Sequence, residues 1–334
     1  MGALGQVTPR SKAPVFVVGC PRSGTTLLYH MLLSAGNFAV YRAESQVFNI
    51  LEPRFGDLSS PKHRRAMLSA WYKSPLFAKT GLAREDVEGP VMDACRNGGD
   101  FLRTYMETMA RQQHVERWAD CTPEHLLYLK RIKQTIPDAL IIHVLRDGRD
   151  VSLSLEKQGW IRPFKWHRDA GLPVAAVYWD WIVRRGRTQG LKLGADYLEV
   201  QYENLVQTPE AALEQIGAFV AQPLDYGHIQ KIGIGSVTRP NTSFASDLKE
   251  HEFQPVARWK SGMSEDQRAV VDTLVGETLK ELGYSAKNEP IAATDRRNLQ
   301  RMRSLYQSYF STKFLLKSKT AFGRTLVIRD LSWA

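Results

Sequence analysis

The chain has only three cysteines, and it has no long apolar run. Cys20, Cys95 and Cys121 lie far apart, so they provide neither a disulfide framework nor the spacing of a zinc site. No stretch approaches the roughly 18 continuous apolar residues of a membrane span, and no basic-then-apolar segment opens the chain. These absences argue against a disulfide-rich secreted scaffold and a membrane-spanning protein. We therefore expect a soluble protein of the cytoplasm.

Positive charge is concentrated near the C-terminus. The chain carries a formal net charge of +10. Residues 291–334 contain nine Lys or Arg and two acids, so they account for seven of these ten charges. No nucleic-acid-reading module accompanies the charge, and we expect no nucleic-acid partner. From Leu299 onward, apolar residues recur near helical spacing, which predicts a basic amphipathic helix. It is interpreted first as docked on the domain, and alternatively as contacting a membrane surface or an acidic partner; the oligomeric state is open.

Short β-branched runs alternate with helical patterns along the chain. Strands are predicted at residues 15–18, 139–145 and 197–200. Helices are predicted from Thr25 and at residues 123–134, 174–189, 208–220 and 264–282, the last with a capping box formed by Ser264 and Gln267. This order predicts an α/β fold of three layers, in which helices flank a central parallel sheet. We divide the chain into a flexible N-terminus (1–13), one domain (14–290) and a basic helical extension (291–334).

A glycine-containing loop follows the first strand. Gly19 and Gly24 have the spacing of a phosphate-binding loop, whose backbone N–H groups and following helix N-terminus hold an anion. Nucleotide triphosphatases have Lys after the second glycine, whereas this chain has Thr25. Arg22 lies inside the loop beside the hydroxyl groups of Ser23, Thr25 and Thr26. Such a loop suits a 5′-phosphosulfate held without a metal; the alternative is a strand-to-helix turn that binds nothing.

A second anion site is predicted where the strand ending at Leu145 meets its helix. Arg146 falls at the carboxyl end of that strand, where parallel sheets bind ligands. Ser154 follows in the helix, and the two could hold one phosphate together. Arg149 is expected instead to pair with Asp147 and Asp150.

The segments VFVVGCPRSGTTLL and IIHVLRDGRDVSLS resemble the two signatures that bind 3′-phosphoadenosine-5′-phosphosulfate (PAPS) in the sulfotransferase family. The residues around Tyr202, the segment from Trp118 to Pro123, and Arg258-Trp259-Lys260 resemble later elements of that family, so the resemblance spans about residues 14–284. It is closer to the bacterial and tyrosylprotein branch than to the cytosolic phenol and steroid branch. The resemblance implies PAPS as cosubstrate, with no metal required. It implies these PAPS-binding residues: Arg22, Ser23, Gly24, Thr25, Thr26, Arg146, Ser154, Tyr202, Arg258, Trp259 and Lys260.

The implied reaction is in-line transfer of a sulfuryl group to a hydroxyl acceptor. Arg22 would stabilise charge on the moving group, and a general base would take the acceptor proton. Glu44 occupies the place of the catalytic Glu in the tyrosylprotein branch and is our candidate base. Three histidines compete: His143 is expected in the core, His125 either faces the site or lies on a helix surface, and His167 could contact the acceptor.

One position departs from the family pattern. Cys121 stands where the related branch usually has a Lys before Thr-Pro, and a neutral thiol cannot supply that charge. Lys130, Lys165 and Lys260 are candidate substitutes. Two other functions remain open, a phosphate-loop kinase or nucleotide hydrolase and a non-catalytic nucleotide-binding protein. Residues 41–115 and 156–175 would shape the acceptor site, and their aromatic side chains suit a carbohydrate, a tyrosine or phenol, or a lipid equally well.

Overall fold

Four parallel strands form the sheet of the part of the chain that the computed structural model describes, which is residues 8–243, 254–286 and 292–320. They are β1 (Val15–Gly19), β2 (Ala119–Asp120), β3 (Leu140–Leu145) and β4 (Tyr197–Gln201), in the spatial order β2-β1-β3-β4. Val15 pairs with Leu140, and Ile141 pairs with Tyr197. Parallel strands need crossover connections, and helices provide them.

Fifteen helices are described within these ranges. In chain order they are α1 (Thr25–Ser34), α2 (Glu52–Phe55), α3 (Pro61–Trp71), α4 (Pro75–Ala78), α5 (Glu85–Ala94), α6 (Gly98–Gln112), α7 (Leu129–Thr135), α8 (Gly148–Gln158), α9 (Gly171–Gly190), α10 (Tyr202–Gln207), α11 (Pro209–Val220), α12 (Tyr226–Ile232), α13 (Trp259–Gly262), α14 (Glu265–Glu281) and α15 (Ala293–Lys319). Short 3₁₀ segments occur at Arg10–Lys12, Pro123–Tyr128, Lys165–His167, Leu191–Asp196 and Gly235–Val237, and a π-helical turn spans Val47–Leu51.

The sheet is covered on both faces, which explains why β1 and most of β3 are apolar. Phe16 and Val18 of β1 belong to one buried cluster together with Trp179 of α9. Val15 and Val17 point the other way and pack with residues of α1 and α11. Successive strand side chains face opposite sides, so this alternation produces the three-layer α/β fold, as predicted.

The predicted elements agree with the structure except in detail. The three predicted strands and the Ser264–Gln267 capping box are confirmed. The helix predicted at residues 123–134 is instead a 3₁₀ segment, Pro123–Tyr128, followed by α7. None of the described helices is long and apolar enough to cross a bilayer.

Residues between β1 and β2 form a helical layer with its own aromatic core. Trp71 packs against Phe77, Phe101 and Tyr105, with ring centroids 4.9 to 5.1 Å from that of Trp71. Several aromatic side chains that could have contacted an acceptor are thus core residues, Tyr41, Phe48 and Trp71 among them.

The last described helix, α15, packs against α9 and α14. Tyr306 and Phe310 are buried there, and Trp181 Nε1 donates to Ser311 Oγ at 3.0 Å. Arg303 and Gln307 both donate to the buried carboxylate of Asp180, each at 3.0 Å. These contacts fix the helix against the body of the domain.

Candidate functional site

The phosphate loop has two residues in left-handed backbone conformations. Arg22 has φ 74° and Gly24 has φ 95°. A side chain at position 24 would meet the ring of Tyr202, because its Cβ would lie 2.2 Å from a ring carbon. Arg22 adopts this uncommon conformation without being a glycine, and such outliers persist where surrounding contacts enforce them. Surrounding contacts, including that of Gly24 with the Tyr202 ring, therefore hold the loop in one conformation.

Arg22 and Ser154 meet although 132 residues separate them. Arg22 Nε donates to Ser154 Oγ at 3.1 Å, and Ser154 Oγ lies 2.7 Å from Ser243 Oγ. Arg22 Nη2 donates to the carbonyl of Asn241 at 3.2 Å. The segment around residues 241–243 thus closes over the loop.

Arg146 lies at the tip of β3 between the loop and Tyr202. Its Nη1 donates to the Arg22 carbonyl at 3.1 Å, and its Nη2 donates to the Pro255 carbonyl at 2.8 Å. Its guanidinium carbon is 4.3 Å from the centre of the Tyr202 ring. The structure therefore joins Arg146 to the phosphate loop and to the β4 end.

Three guanidinium groups repel one another at this edge of the sheet. Burial lowers the pKa of Arg22, and Arg146 and Arg258 lower it further. Burial and then Arg146 likewise lower the pKa of Arg258. Cations crowded in this way favour binding of a multiply charged anion, because the anion relieves their repulsion.

The Arg258-Trp259-Lys260 segment reaches the same region by different contacts. Arg258 Nη1 donates to Thr242 Oγ1 at 3.2 Å. The Trp259 ring stacks over Arg149, with 3.6 Å between the guanidinium carbon and the ring centre. Lys260 Nζ lies 6.0 Å from that ring centre and is exposed. Of the three, Arg258 joins Arg22 and Arg146 in the group of guanidinium side chains that we call the arginine cluster.

Arg149 belongs to an ion network, as expected, but the network is buried rather than on the surface, and its partners differ in part. It pairs with Asp147 at 2.8 Å and with Asp272 at 3.5 Å. Asp150 lies nearer to Arg146, at 3.7 Å, and accepts a hydrogen bond from the Trp259 backbone N–H at 2.9 Å. Arg149 therefore holds α8, α14 and Trp259 together.

Glu44 has a strongly perturbed carboxyl group. Although the side chain as a whole is exposed, protein atoms crowd around its carboxylate. This burial, together with Glu124 and Asp120, raises the pKa of Glu44 to about 7, and a hydrogen bond from Gln46 and the charge of Lys79 oppose the shift. A carboxylate with this pKa can gain and lose a proton near neutral pH, which suits general-base catalysis.

Comparisons with known proteins identify the family. A model of the sulfotransferase family matches residues 14–226, more than half of the chain. The chain belongs to the sulfotransferase family. It is accordingly a transferase that uses PAPS as sulfuryl donor.

A curated relative and two solved structures extend this match. Protein-tyrosine sulfotransferase A of Caenorhabditis elegans is 25% identical over 288 residues, which cover 84% of this chain and 70% of the relative. The sulfotransferase domain of the Synechococcus PCC 7002 olefin synthase is 18% identical with a TM-score of 0.54, covering 82% of this chain and 96% of the other. The sulfotransferase domain of the curacin biosynthetic pathway gives the same TM-score at 15% identity, covering 82% and 98%. Both structures have the same fold as this chain.

Two buried polar atoms at the loop fit a phosphate-bearing donor. Ser23 Oγ and Arg146 Nε have no hydrogen-bond partner among the described residues. An unpaired buried donor costs about 1 to 3 kcal/mol, so such groups are normally satisfied by a partner or ligand. The residues present at this edge therefore fit the two phosphate groups of PAPS.

Cys121 interacts both with Thr25, which follows the phosphate loop, and with Glu44. It is buried and hydrogen-bonded to the Thr25 side chain. Burial raises the pKa of the Cys121 thiol, and Glu44 and Asp120 raise it further, so the thiol stays neutral. Lys79, which sequence reasoning did not select, acts electrostatically on Glu44. No local motif marks Lys79, since it lies in the helical layer far from the signatures.

His125 is a buried structural residue, and the helix-surface interpretation was wrong. It is fully buried, and its Nδ1 lies 2.8 Å from Asp120 Oδ2. The backbone N–H of Phe48 donates to Nε2 at 3.2 Å, so Nδ1 carries the proton that Asp120 accepts. This pair fixes the segment after β2 against the turn that follows Glu44.

The other two histidines also have structural partners. His143 is buried in β3, as expected, and its Nδ1 lies 2.6 Å from the Tyr197 hydroxyl. Burial lowers the pKa of His143 to about 4. His167 Nδ1 lies 3.2 Å from the hydroxyl of Tyr306 in α15.

The loop between α8 and α9 connects α15 to the arginine cluster. Trp160 lies over Arg22, with 5.8 Å between the guanidinium carbon and the ring centre. Four residues on, Phe164 stacks on Tyr306 at 4.9 Å, and its backbone N–H donates to the Tyr306 hydroxyl at 2.9 Å. The helix therefore holds the loop that places an aromatic ring beside Arg22.

The Tyr306→Phe enzyme will have a weakened acceptor interaction. Loss of the hydroxyl removes both loop hydrogen bonds but keeps the ring stacking, and a hydrogen bond contributes about 1 kcal/mol. We expect the KM for the acceptor to rise about fivefold, with kcat and the affinity for adenosine 3′,5′-bisphosphate nearly unchanged. Steady-state kinetics with separate kcat and KM measure this. Tyr309→Phe is the matched control, and an equal change in both variants would contradict the positioning role.

Proposed function

We propose that this chain transfers the sulfuryl group of PAPS to a phenolic hydroxyl, with Glu44 as general base. The observation that carries the proposal is the position of Glu44. Its carboxylate, with a pKa of about 7, acts on the thiol of Cys121, which hydrogen-bonds Thr25 at the start of α1. The electrostatic coupling of Glu44 to Cys121, and the hydrogen bond of Cys121 to Thr25, support a proton acceptor near the loop that would hold the donor's phosphosulfate.

The geometry of the arginine cluster supports the donor-binding roles that we propose. PAPS supplies the activated sulfuryl group. The loop N–H groups, Ser23 and Arg22 would hold its 5′ end, while Arg146 and Ser154 would hold its 3′-phosphate. Arg258 closes the cluster, and Gly24, Thr25 and Thr26 shape the loop beneath. Tyr202, Trp259 and Lys260 stay predicted contacts to the nucleotide.

Glu44 takes the acceptor proton as the acceptor oxygen bonds to sulfur. The bond between sulfur and the 5′-phosphate oxygen breaks, and its electrons remain on the departing phosphate. Arg22 stabilises the negative charge that develops there. Proton removal by a positioned base contributes about 10²–10⁴-fold to such a rate.

A phenol matches this base better than an alcohol does. A tyrosyl hydroxyl has a pKa of about 10, and a base with a pKa near 7 can assist its loss of a proton. The name of the Caenorhabditis elegans relative points to protein tyrosine as the acceptor of that protein. We therefore propose a tyrosyl or related phenolic hydroxyl here.

We also propose residues 14–290 as the transferase domain and residues 291–334 as its extension. Cys20, Cys95 and Cys121 are free and buried, which is compatible with work in the reducing cytoplasm. The neutral thiol at position 121 favours one alternative, a protein that binds the nucleotide without transferring sulfate.

Thermal unfolding with ligands, followed by transfer assays, tests the proposal. Adenosine 3′,5′-bisphosphate at 100 times its dissociation constant should stabilise the protein by about 2.7 kcal/mol. Labelled PAPS should then label a tyrosyl peptide or p-nitrophenol, and an aliphatic alcohol or a sugar much less. Stabilisation without labelling of any acceptor would support the non-catalytic alternative. Stabilisation by ATP with magnesium but not by the bisphosphate would contradict the assigned donor site.

A further inference from the structure

Exposed aromatic and aliphatic side chains lie on α15 and on the loop between α8 and α9. Trp166 is 72% exposed, Leu305 is 43% exposed and Tyr309 is 37% exposed. Trp166 and Tyr309 both pack on Phe164, with ring centroids 4.8 and 4.9 Å away. Leu305 precedes Tyr309 by one helical turn. These side chains are therefore adjacent, and we call them, with the basic residues around them, the docking face.

Basic residues surround the apolar centre of the docking face. Arg301, Leu305, Tyr309 and Lys313 recur at four-residue spacing on α15, so they form one stripe whose two ends are cationic. In the loop, Lys165 and Arg168 flank Trp166, and both are exposed.

Acidic residues are missing from both segments of the docking face. Residues 160–168 contain three basic residues and no acid, and residues 301–313 contain three basic residues and no acid. A surface of this kind repels cations and attracts a negatively charged surface. Its exposed tryptophan and leucine would gain free energy by leaving water.

An anionic bilayer matches both properties. Tryptophan and tyrosine favour the boundary between headgroups and acyl chains, and lysine and arginine favour anionic headgroups. An acidic protein would satisfy the charge but would not by itself account for an exposed tryptophan with an exposed leucine nearby. We propose that this face docks the enzyme peripherally on membranes that contain anionic lipid.

The docking face lies on the same loop as a residue of the active site. Trp160, six residues before Trp166, stacks over Arg22. Docking through Trp166 would thus bring the transfer site close to the bilayer surface. The inference concerns where the enzyme works and does not rest on the proposed acceptor.

Vesicle co-sedimentation of the full chain tests the docking face. We expect binding to vesicles of phosphatidylcholine with about 30% phosphatidylserine, little binding to phosphatidylcholine alone, and weakening by salt. The Trp166→Ser/Leu305→Ser variant should bind at least tenfold more weakly. Each of Arg168→Ala and Arg301→Ala should weaken binding about fivefold. The summed fluorescence of the eight tryptophans should shift to the blue on binding, and Trp166→Phe should remove most of this shift.

Leu191→Ser/Lys192→Ala is the matched control. Leu191 is 61% exposed and follows the far end of α9, about 30 Å along that helix from the loop. This variant should bind vesicles normally, and all variants should keep their affinity for adenosine 3′,5′-bisphosphate, which reports folding. The proposal is overturned if the native chain does not bind anionic vesicles or binds neutral vesicles equally well. It is also overturned if the control variant loses as much vesicle binding as the docking-face variants. Capture of an acidic protein without vesicle binding would also overturn it.

Discussion

The Glu44→Gln enzyme will bind adenosine 3′,5′-bisphosphate normally but will turn over about 10²–10⁴-fold more slowly. The amide keeps the size of the carboxyl group and can remain hydrogen-bonded to Gln46. It cannot accept the acceptor proton, however, so only the catalytic step is affected. Single-turnover transfer from labelled PAPS measures the loss.

Glu124→Gln provides a matched control in the same acidic group. Glu124 accepts a hydrogen bond from Asn49 at 3.3 Å and raises the pKa of Glu44. Its neutralisation should keep transfer but move the activity profile to lower pH. Transfer by Glu44→Gln at the native rate would exclude Glu44 as the base.

Deprotonation of Glu44 should increase the activity of the enzyme but decrease its stability as the pH rises. Activity needs the deprotonated carboxylate, so kcat/KM should rise with pH and reach half its limit near the Glu44 pKa of about 7. The folded pKa exceeds the ordinary value, so the folded state binds the proton more tightly than the unfolded chain does. The resulting stability is present below the unfolded pKa and is lost as pH rises through about 7. Glu44→Gln should therefore have a Tm at pH 8 at or above the native one.

The Arg146→Ala enzyme will lose most of its affinity for adenosine 3′,5′-bisphosphate. Removing one partner of a buried charged pair costs about 2 to 5 kcal/mol, which corresponds to roughly 30- to 5,000-fold in Kd. Arg146 also bonds the Arg22 carbonyl, so its loss should loosen the loop that holds the 5′ end. Isothermal titration measures the affinity.

Two further variants separate binding from folding. Arg146→Lys keeps the charge but not the two-pronged donor geometry, and we expect an intermediate loss. Arg297→Ala removes the same charge from an exposed site on α15 and should leave affinity unchanged. If Arg146→Ala binds adenosine 3′,5′-bisphosphate with native affinity, Arg146 does not bind the 3′-phosphate.

The parts of the site that follow strands could be predicted because they depend on local order. A buried strand, a glycine loop and a helix occur consecutively, so the amide-lined turn at Gly19 follows from the sequence alone. Arg146 is similar, since the last residue after a parallel strand lies at the ligand-binding edge. These local patterns also fixed the fold class.

Contacts between distant segments could not be predicted in the same way. The pKa of Glu44 depends on Glu124 and Asp120, which lie about 80 residues away in the chain. The helical pattern after Pro123 left His125 either facing the site or on a helix surface, whereas the 3₁₀ geometry turns it inward to Asp120. Trp160 over Arg22 depends on how α15 supports a loop that has no periodic pattern.

The contact of Tyr202 with Gly24 has a consequence for the order of folding. The ring that closes over the loop comes from a residue 178 positions later in the chain, after β4 has been added beside β3. Because contacts of such sequence separation form slowly, the completed anion site should appear only after the sheet has assembled. The nucleotide would then stabilise the folded protein without accelerating the early steps of folding. The refolding rate should therefore be independent of the bisphosphate concentration.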